Sequence, residues 1–277
     1  MPLMSEPVTA AIVRLTAAIA ALLCVAGYGA APASALPGGI VPGELVVGGL
    51  PRTYQMHVPA GLENPAGLVI NLHGAGQTGG EQAALTNYNA IADQHGFVVA
   101  YPDGIDFSWA DGRGASIPDR QGVDDVGFLT ALIDRLTRDH GIAPGRVFAT
   151  GMSAGAFMAT RLACERADIV SAIAPVAGTL GAAFPCAPSR PVSVLQMNGT
   201  ADPVVPFNGG TMLGRGGYSD IVAAPAMAQR WRDVDRCSAS GCAEGTEVVF
   251  VQIDGGGHTW PPDASHASGQ FFASHGR

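Results

Sequence analysis

The sequence contains no lysine, and all 15 of its permanently charged basic residues are arginines. This absence excludes chemistry that needs a lysine, including P-loop phosphate binding, the kinase strand lysine, Schiff-base catalysis and acylation by a Ser-x-x-Lys pair. Charged residues make up only 14% of the chain, and its net charge is −8. So little charge argues against a coiled coil, and an acidic balance leaves no basic excess to neutralise nucleic-acid phosphates.

Apolar residues are abundant instead. They make up 47% of the 277 residues, alongside 38 glycines and 20 prolines. This composition is too apolar for a disordered chain. The length is enough to bury a sizeable core in one large domain or two small ones.

The N-terminal segment has the layout of a secretory signal peptide. Arg14 precedes an uncharged apolar run, residues 15–27, that is too short to span a bilayer, and small residues follow up to Ala35. We therefore expect cleavage after Ala35, one domain over residues 36–277, no stable membrane span and a secreted protein. Lipidation at Cys24 is a weaker alternative because bulky residues precede it, and a buried N-terminal helix is disfavoured because the run lacks an amphipathic period.

Four cysteines follow the predicted cleavage site, at Cys164, Cys186, Cys237 and Cys242. An even number in an exported chain favours disulfides, for which three pairings are open. We expect the nearest neighbours to pair, Cys164 with Cys186 and Cys237 with Cys242. Zinc binding is the alternative, but neither spacing is Cys-x-x-Cys and no histidine pair lies nearby, so no metal site is predicted.

Apolar strands and helices alternate along the rest of the chain. Strands are predicted at 45–47, 53–58, 68–72, 97–101, 146–150, 169–176, 192–198 and 247–253, and helices at 81–95, 124–140, 154–165 and 221–235. Residues 105–122 show little periodicity and are predicted to form a loop. This alternation indicates an α/β fold, with a mostly parallel sheet covered by helices on both faces. Ligands of such folds bind at the carboxyl ends of the strands.

One glycine-rich turn matches a catalytic motif. Residues 151–155, Gly-Met-Ser-Ala-Gly, fit the Gly-x-Ser-x-Gly nucleophile elbow, a strained strand-to-helix turn that exposes a serine hydroxyl. With 38 glycines in the chain the pattern alone is weak, but an apolar strand precedes Ser153 and a small-residue helix follows it. The alternative is that Ser153 caps a helix that packs closely on the sheet.

A serine hydroxyl needs a histidine base held by a carboxylate, and in hydrolases with this elbow the acid precedes the histidine. Asp202 follows one predicted strand, and His258 lies in a glycine-rich loop after a later strand. Singly, each is more often an ordinary turn or loop residue. Together they predict a Ser153, Asp202 and His258 triad. The fallback bases are His266 and His275, and the fallback acids are Asp235 and Asp254.

The loop after predicted strand 68–72 would complete this site, because its backbone N–H groups can face a reacting carbonyl. Ala75 and Ala154 are the predicted oxyanion-hole donors, with Gly74 in reserve, whereas His73 is predicted to be structural.

Two tryptophans are candidates for substrate binding. Trp109 and Trp260 lie at or beyond the predicted carboxyl ends of strands, as do Phe107 and Tyr101, so their side chains could line a pocket there. Ordinary packing under long loops is the alternative for all of them.

The same loop also fits a dinucleotide-binding pattern. Residues 74–79 follow Gly-x-Gly-x-x-Gly, and Asp103 lies where a ribose-binding acid would be expected. In a glycine-rich chain such a match arises easily, and an exported protein seldom meets NAD. It also leaves Ser153 unexplained, so no cofactor is predicted.

Several of these segments together resemble secreted esterases of the polyhydroxybutyrate depolymerase and feruloyl esterase type. The similar segments are 72–75, 123–129, 146–156, 174–178, 198–206 and 256–261. The resemblance covers roughly residues 52–275, and it implies an α/β-hydrolase fold with Ser153, Asp202 and His258 as catalytic residues.

This resemblance also implies hydrolysis of carboxylic esters through an acyl-enzyme. The implied substrates are 3-hydroxybutyrate oligomers or polyester, or feruloyl and acetyl esters of plant polysaccharides. Depolymerases acting on solid polymer commonly carry an extra adsorption domain, for which residues 36–277 leave no room, so soluble or oligomeric esters are expected. The alternative is a catalytically silent cell-envelope binding protein on the same fold.

Overall fold

An eight-stranded mixed sheet lies at the centre of the computed structural model, which describes residues 39–276. The predicted signal peptide and Cys24 lie outside the described residues. The strands are β1 (Gly39–Val47), β2 (Leu50–Val58), β3 (Gly67–Leu72), β4 (Phe97–Pro102), β5 (Val147–Met152), β6 (Ala172–Val176), β7 (Ser193–Gly199), β8 (Gly210–Gly214), β9 (Gly217–Ile221) and β10 (Val248–Ile253).

The strand order in the sheet is β1-β2-β4-β3-β5-β6-β7-β10, and β8 and β9 pair separately as a hairpin. The pairs β1/β2 and β2/β4 are antiparallel, and the other neighbours in the large sheet are parallel. Every residue of β3, β4, β6 and β7 is buried, as parallel strands covered on both faces require. The predicted α/β fold class is confirmed.

The helices cover both faces of the sheet. They are α1 (Gly79–Thr86), α2 (Tyr88–His95), α3 (Ile117–Gln121), α4 (Asp125–His140), α5 (Ala154–Glu165), α6 (Ala224–Val234) and α7 (Ala264–Ser274), and short 3-10 turns occur at Ile105–Phe107 and Ala243–Gly245. Successive residues of β3 point to opposite faces: Leu68 and Ile70 pack in the cluster that contains α4 and α5 residues, and Val69 packs with residues of α2 and α7. None of the described helices is long and apolar enough to cross a membrane.

Several segments differ from the predictions. The helix predicted at 81–95 is two helices, because Asn87 adopts a left-handed conformation with φ 46° and ψ 35°. Asparagine tolerates this conformation better than most residues with a side chain. The segment 210–221, for which no strand is predicted, forms the β8–β9 hairpin. The predicted loop 105–122 contains the short helix α3.

Both expected disulfides are present. Cys164 is bonded to Cys186 with a Cα–Cα distance of 4.9 Å, and Cys237 to Cys242 with a Cα–Cα distance of 3.9 Å. The first joins the end of α5 to the segment between β6 and β7, and the second closes a short loop after α6. Since all four sulfur atoms are in disulfides, the zinc alternative is wrong for these cysteines.

Candidate active site

Ser153 occupies a strained turn between β5 and α5. Its φ is 54° and its ψ is −119°, a combination that residues with a Cβ rarely adopt. The turn is held by two backbone hydrogen bonds of 3.0 Å, from Ser153 N–H to the Val176 carbonyl and from Phe157 N–H to the Ser153 carbonyl. A strained conformation kept in place by its surroundings is a common feature of active sites.

The two glycines that flank this turn are required by close packing. A Cβ on Gly155 would lie 2.1 Å from the carbonyl oxygen of Leu72, and one on Gly151 would lie 2.6 Å from the same atom. The end of β3 therefore contacts the turn directly, which only glycine permits. The loop after β3 lies beside the nucleophile candidate, since a Cβ on Gly74 would lie 3.7 Å from the Cβ of Ser153.

Asp202 and His258 are hydrogen-bonded to each other. The distance from His258 Nδ1 to Asp202 Oδ2 is 2.8 Å, and the side chains are 17% and 2% exposed, respectively. The other oxygen of Asp202 accepts the N–H groups of Val204 and Val205, each at 2.8 Å. Burial alone would raise the pKa of Asp202, but the hydrogen bonds from His258 and from these two N–H groups outweigh it, so the pKa is lowered.

The loops that carry the acid and the histidine are joined by their backbones. Thr200 N–H donates to the Ile253 carbonyl at 3.0 Å, and Ala201 N–H donates to the Gly256 carbonyl at 2.9 Å. Glycine at position 199 permits this approach, because a Cβ there would lie 2.2 Å from the Gly256 oxygen. The backbone therefore sets the spacing of the two loops.

The predicted oxyanion-hole donors lie near Ser153. Ala154 is the first residue of α5, and the N–H groups of a helix's first turn have no carbonyl partner within the helix. Ala75 is exposed in the loop after β3. Gly74, the reserve donor, is already engaged, because its N–H donates to the Oε1 atom of Gln77 at 3.1 Å.

His73 has a structural role, in agreement with the prediction. Its Nδ1 lies 2.8 Å from the Gly74 carbonyl, and its Nε2 accepts the N–H of Gly104 at 2.9 Å. Burial lowers the pKa of His73, which favours the neutral ring that this pair of hydrogen bonds requires. Neither nitrogen is left to act as a base.

Ser153 and His258 line the same cavity, which has a volume of about 280 Å³. The other lining residues are Ala75, Ser108, Arg113, Ala115, Ala154, Val204, Met212, Leu213, Gly214 and Arg215. The last four come from the β8–β9 hairpin and its turn, which the sequence-based predictions miss. The two residues between these strands, Arg215-Gly216, have the length of a common hairpin turn and are the signal that could have found it.

Trp109 and Trp260 do not line this cavity. Trp109 is fully buried and its Nε1 donates to the His73 carbonyl at 2.9 Å, so the prediction that it contacts substrate is wrong. Trp260 is 8% exposed, and its Nε1 donates to Ser265 Oγ at 3.0 Å in the cluster that contains α7. Both rings pack in the hydrophobic core, where a large aromatic side chain buries much apolar surface.

The fallback acids and bases lie elsewhere. His266 is exposed on α7, and His275 pairs with a glutamate at 3.1 Å. Asp235 accepts a backbone N–H in the core at 3.1 Å, and Asp254 is exposed. None of the four lines the cavity that holds Ser153.

The residues that fit the dinucleotide pattern have structural contacts instead. The Asp103 carboxylate accepts the N–H of Gly79 at 2.8 Å and the hydroxyl of Thr53 at 2.7 Å. A Cβ on Gly79 would lie 2.3 Å from the carbonyl oxygen of Tyr101, so this glycine is needed for packing on β4. Packing and capping therefore account for the pattern.

Comparison with known proteins identifies the family. The family model described as esterase PHB depolymerase matches residues 52–255. The chain belongs to this family. The esterase is therefore a carboxylic ester hydrolase of the polyhydroxybutyrate depolymerase or feruloyl esterase type, and the catalytically silent binding protein is not favoured.

Three relatives illustrate the range of the family. NocK of Nocardia uniformis subsp. tsuyamanensis, which is named as an esterase, is 32% identical over 79% of this esterase and 73% of NocK. Poly(3-hydroxyalkanoate) depolymerase C of Paucimonas lemoignei is 30% identical, with 80% of this chain and 53% of that protein covered. Feruloyl esterase B of Piromyces equi is 27% identical, with 75% of this chain and 42% of that protein covered. The esterase thus spans about half the length of the last two relatives.

The fold is shared with a solved structure, an acetyl xylan esterase from Aspergillus awamori. The TM-score is 0.60 at 15% identity, and the match covers 84% of this esterase and 98% of the other chain. This likeness shows the α/β-hydrolase fold.

Proposed function

We propose that the esterase hydrolyses its substrates by acyl transfer to Ser153, with His258 as the base and Asp202 as its orienting acid. One observation carries this proposal: His258, hydrogen-bonded to the buried Asp202 at 2.8 Å, lines the same cavity as Ser153 at its strained turn. A nucleophile, a base and an orienting carboxylate are the parts that such catalysis requires.

In the first half of the reaction, the Ser153 oxygen bonds to the ester carbonyl carbon while His258 takes the serine proton. The N–H groups of Ala75 and Ala154 stabilise the negative charge on the carbonyl oxygen. His258 then gives the proton to the departing alcohol as the ester C–O bond breaks. In the second half, His258 removes a proton from water as the water oxygen attacks the acyl-serine. His258 then returns that proton to the Ser153 oxygen as its bond to the acyl carbon breaks and the acid leaves.

The proposed substrates are soluble or oligomeric esters, either of 3-hydroxybutyrate or of feruloyl and acetyl groups on plant polysaccharides. The names of the depolymerase and feruloyl esterase relatives support these classes. A cavity of about 280 Å³ is at the small end of ligand pockets and suits a short acyl group. The two disulfides support export from the cell, where such bonds persist.

Labelling with a fluorophosphonate probe tests the proposed nucleophile, because the probe reacts with activated serines. Mass spectrometry of the digested protein should find the adduct on Ser153. An unlabelled protein, or an adduct on another serine, contradicts the proposal. Hydrolysis of hydroxybutyrate oligomers, methyl ferulate, acetylated xylan and simple acyl esters, compared in one panel, then identifies the preferred acyl group.

A further inference from the structure

The turn between β8 and β9 is fixed against the neighbouring loop at residues 115–116. Gly216 N–H donates to the Ala115 carbonyl at 2.7 Å, and Arg120 donates to the Gly216 carbonyl. A Cβ on Gly214 would lie 2.5 Å from the Ala115 oxygen, so the approach of the two backbones requires glycine. These contacts hold in place the backbone of the residue between the two glycines, Arg215.

The side chain of Arg215 extends over the proposed oxyanion loop. Arg215 lines the cavity that contains Ser153 and His258, and a Cβ on Gly76 would lie 3.0 Å from its Nη1 atom. Within residues 39–276 this guanidinium takes part in no ion pair and no hydrogen bond. It therefore brings an uncompensated positive charge to the loop that carries Ala75.

The cavity wall carries positive charge and no carboxylate. Its charged or titratable residues are Arg113, Arg215 and His258. The charge of Arg113 is balanced by Asp111, whose oxygens lie 2.6 and 2.9 Å from the guanidinium, and His258 is paired with Asp202. Only the charge of Arg215 lacks a partner among the described residues that line the cavity, although the whole chain has a net charge of −8.

We infer that Arg215 binds a carboxylate of the substrate, so that the esterase favours esters that carry a carboxylate near the scissile bond over neutral esters of the same shape. A guanidinium binds carboxylates through charge-assisted hydrogen bonds, which are about twice as strong as neutral ones. The carboxylate can belong to the acyl part or to the alcohol part of the ester. This inference rests on the proposed acyl transfer at Ser153.

Two pairs of matched esters test the inference and separate these sources. Monomethyl succinate and methyl butyrate differ by a carboxylate on the acyl part, and 4-acetoxybenzoate and phenyl acetate differ by one on the alcohol part. For each pair, pH-stat titration gives the ratio of kcat/KM for the charged ester to that for the neutral ester. Differences in intrinsic reactivity, and changes common to both esters, cancel when this ratio is compared between variants.

We expect Arg215→Gln to lower this ratio about tenfold for at least one pair, and Arg215→Lys to keep more of it. Added salt should reduce the wild-type ratio, because it screens an exposed charge. The matched control is Arg138→Gln, which removes one positive charge from an exposed position on α4 outside the cavity and should leave both ratios unchanged. Ratios that do not change in Arg215→Gln for either pair overturn the inference.

Failure of the proposed acyl transfer would give a different result from failure of the carboxylate site. A wild-type protein that hydrolyses none of the four esters contradicts the acyl transfer, but it leaves the carboxylate site open to a binding test. Calorimetric titration of Ser153→Ala with monomethyl succinate, with and without Arg215→Gln, provides that test. Binding weakened about tenfold by the second substitution supports the carboxylate site. Equal binding by the two proteins overturns it.

Discussion

Asp202 determines which nitrogen of His258 can act as a base. The Asp202 carboxylate, whose pKa is lowered, only accepts hydrogen bonds, so the Nδ1 atom of His258 at 2.8 Å must be the donor. The proton of the neutral ring is then on Nδ1, and Nε2 keeps the lone pair that a base needs. The contact thus selects a tautomer as well as an orientation.

Replacing Asp202 with asparagine should remove that selection. In Asp202→Asn the amide can donate to Nδ1 and stabilise the wrong tautomer, so we expect kcat to fall roughly 10³- to 10⁴-fold. Steady-state hydrolysis of 4-nitrophenyl acetate measures the effect. Asp254→Asn, at an exposed position in the following loop, is the control and should retain wild-type kcat. A fall of less than tenfold in Asp202→Asn would rule out this role.

Removing the hydroxyl of Ser153 should abolish catalysis without unfolding the protein. We expect kcat of Ser153→Ala to be lower by at least about a thousandfold, since no nucleophile remains to form the acyl-enzyme. Far-UV circular dichroism and the denaturation midpoint should be near those of the wild type. The exposed Ser189→Ala is a control of the same chemistry and should keep full activity. Hydrolysis that persists in Ser153→Ala would show that another residue is the nucleophile.

The lowered pKa of Asp202 also predicts how stability depends on pH. The folded state binds this proton less readily than the unfolded state. The ionised carboxylate therefore contributes its full stability at a pH above its pKa in the unfolded chain, about 3.9. That contribution is lost as the pH falls through the lower pKa of Asp202 in the folded state. Urea unfolding at several pH values should therefore show that the free energy of unfolding declines less steeply below about pH 4 in Asp202→Asn than in the wild type. Parallel curves would contradict the lowered pKa.

The close contact between Gly155 and Leu72 predicts a destabilising substitution. In Gly155→Ala the new methyl group would lie 2.1 Å from a backbone oxygen, so either β3 or the turn at Ser153 must move. Overpacking of this kind should lower the free energy of unfolding by about 2 kcal/mol, and the displaced serine should lower kcat. Gly257→Ala is the matched control for stability, because its methyl group meets nothing within 4 Å. Equal stability of the two variants would show that the contact is not restrictive.

The two disulfides should contribute unequally to stability. The bond between Cys164 and Cys186 closes a separation of 22 residues, whereas that between Cys237 and Cys242 closes 5. The entropy lost by the unfolded chain rises with loop length, which gives about 3 kcal/mol for the first bond and about 2 kcal/mol for the second. Guanidinium unfolding of the two double-alanine variants tests this order. A larger loss from the short loop would contradict it.

The sequence predicts the elements of this fold best where local signals are strong. The strand before Ser153 is short and mostly apolar, with glycines near both of its ends, so β5 and α5 lie within two residues of their predicted bounds. The triad candidates could be chosen because each follows a predicted strand, and the carboxyl ends of parallel strands meet at one edge of the sheet. Of the three open cysteine pairings, the expected one between nearest neighbours in sequence is the one present.

What the sequence did not reveal depends on contacts between distant segments. Whether Trp109 faces a ligand or the core is decided by His73, 36 residues away, whose carbonyl accepts the indole N–H. Arg215 becomes part of the cavity wall because its turn binds Ala115, a contact across about a hundred residues of chain. The break at Asn87 is local, but asparagine is also compatible with a helix, so its left-handed conformation does not follow from its identity.

The proposed catalytic residues fall into two groups that are held in place by different contacts, one of them the backbone hydrogen bonds between the loops after β7 and β10. One group contains the carboxylate and the imidazole, and the other, held where Gly155 meets Leu72, contains the serine. The hydrogen bonds that hold the loops after β7 and β10 together involve none of the residues that hold the turn at Ser153 against β3. A substitution that displaces the serine turn, such as Gly155→Ala, should therefore leave the hydrogen bond between His258 and Asp202 in place.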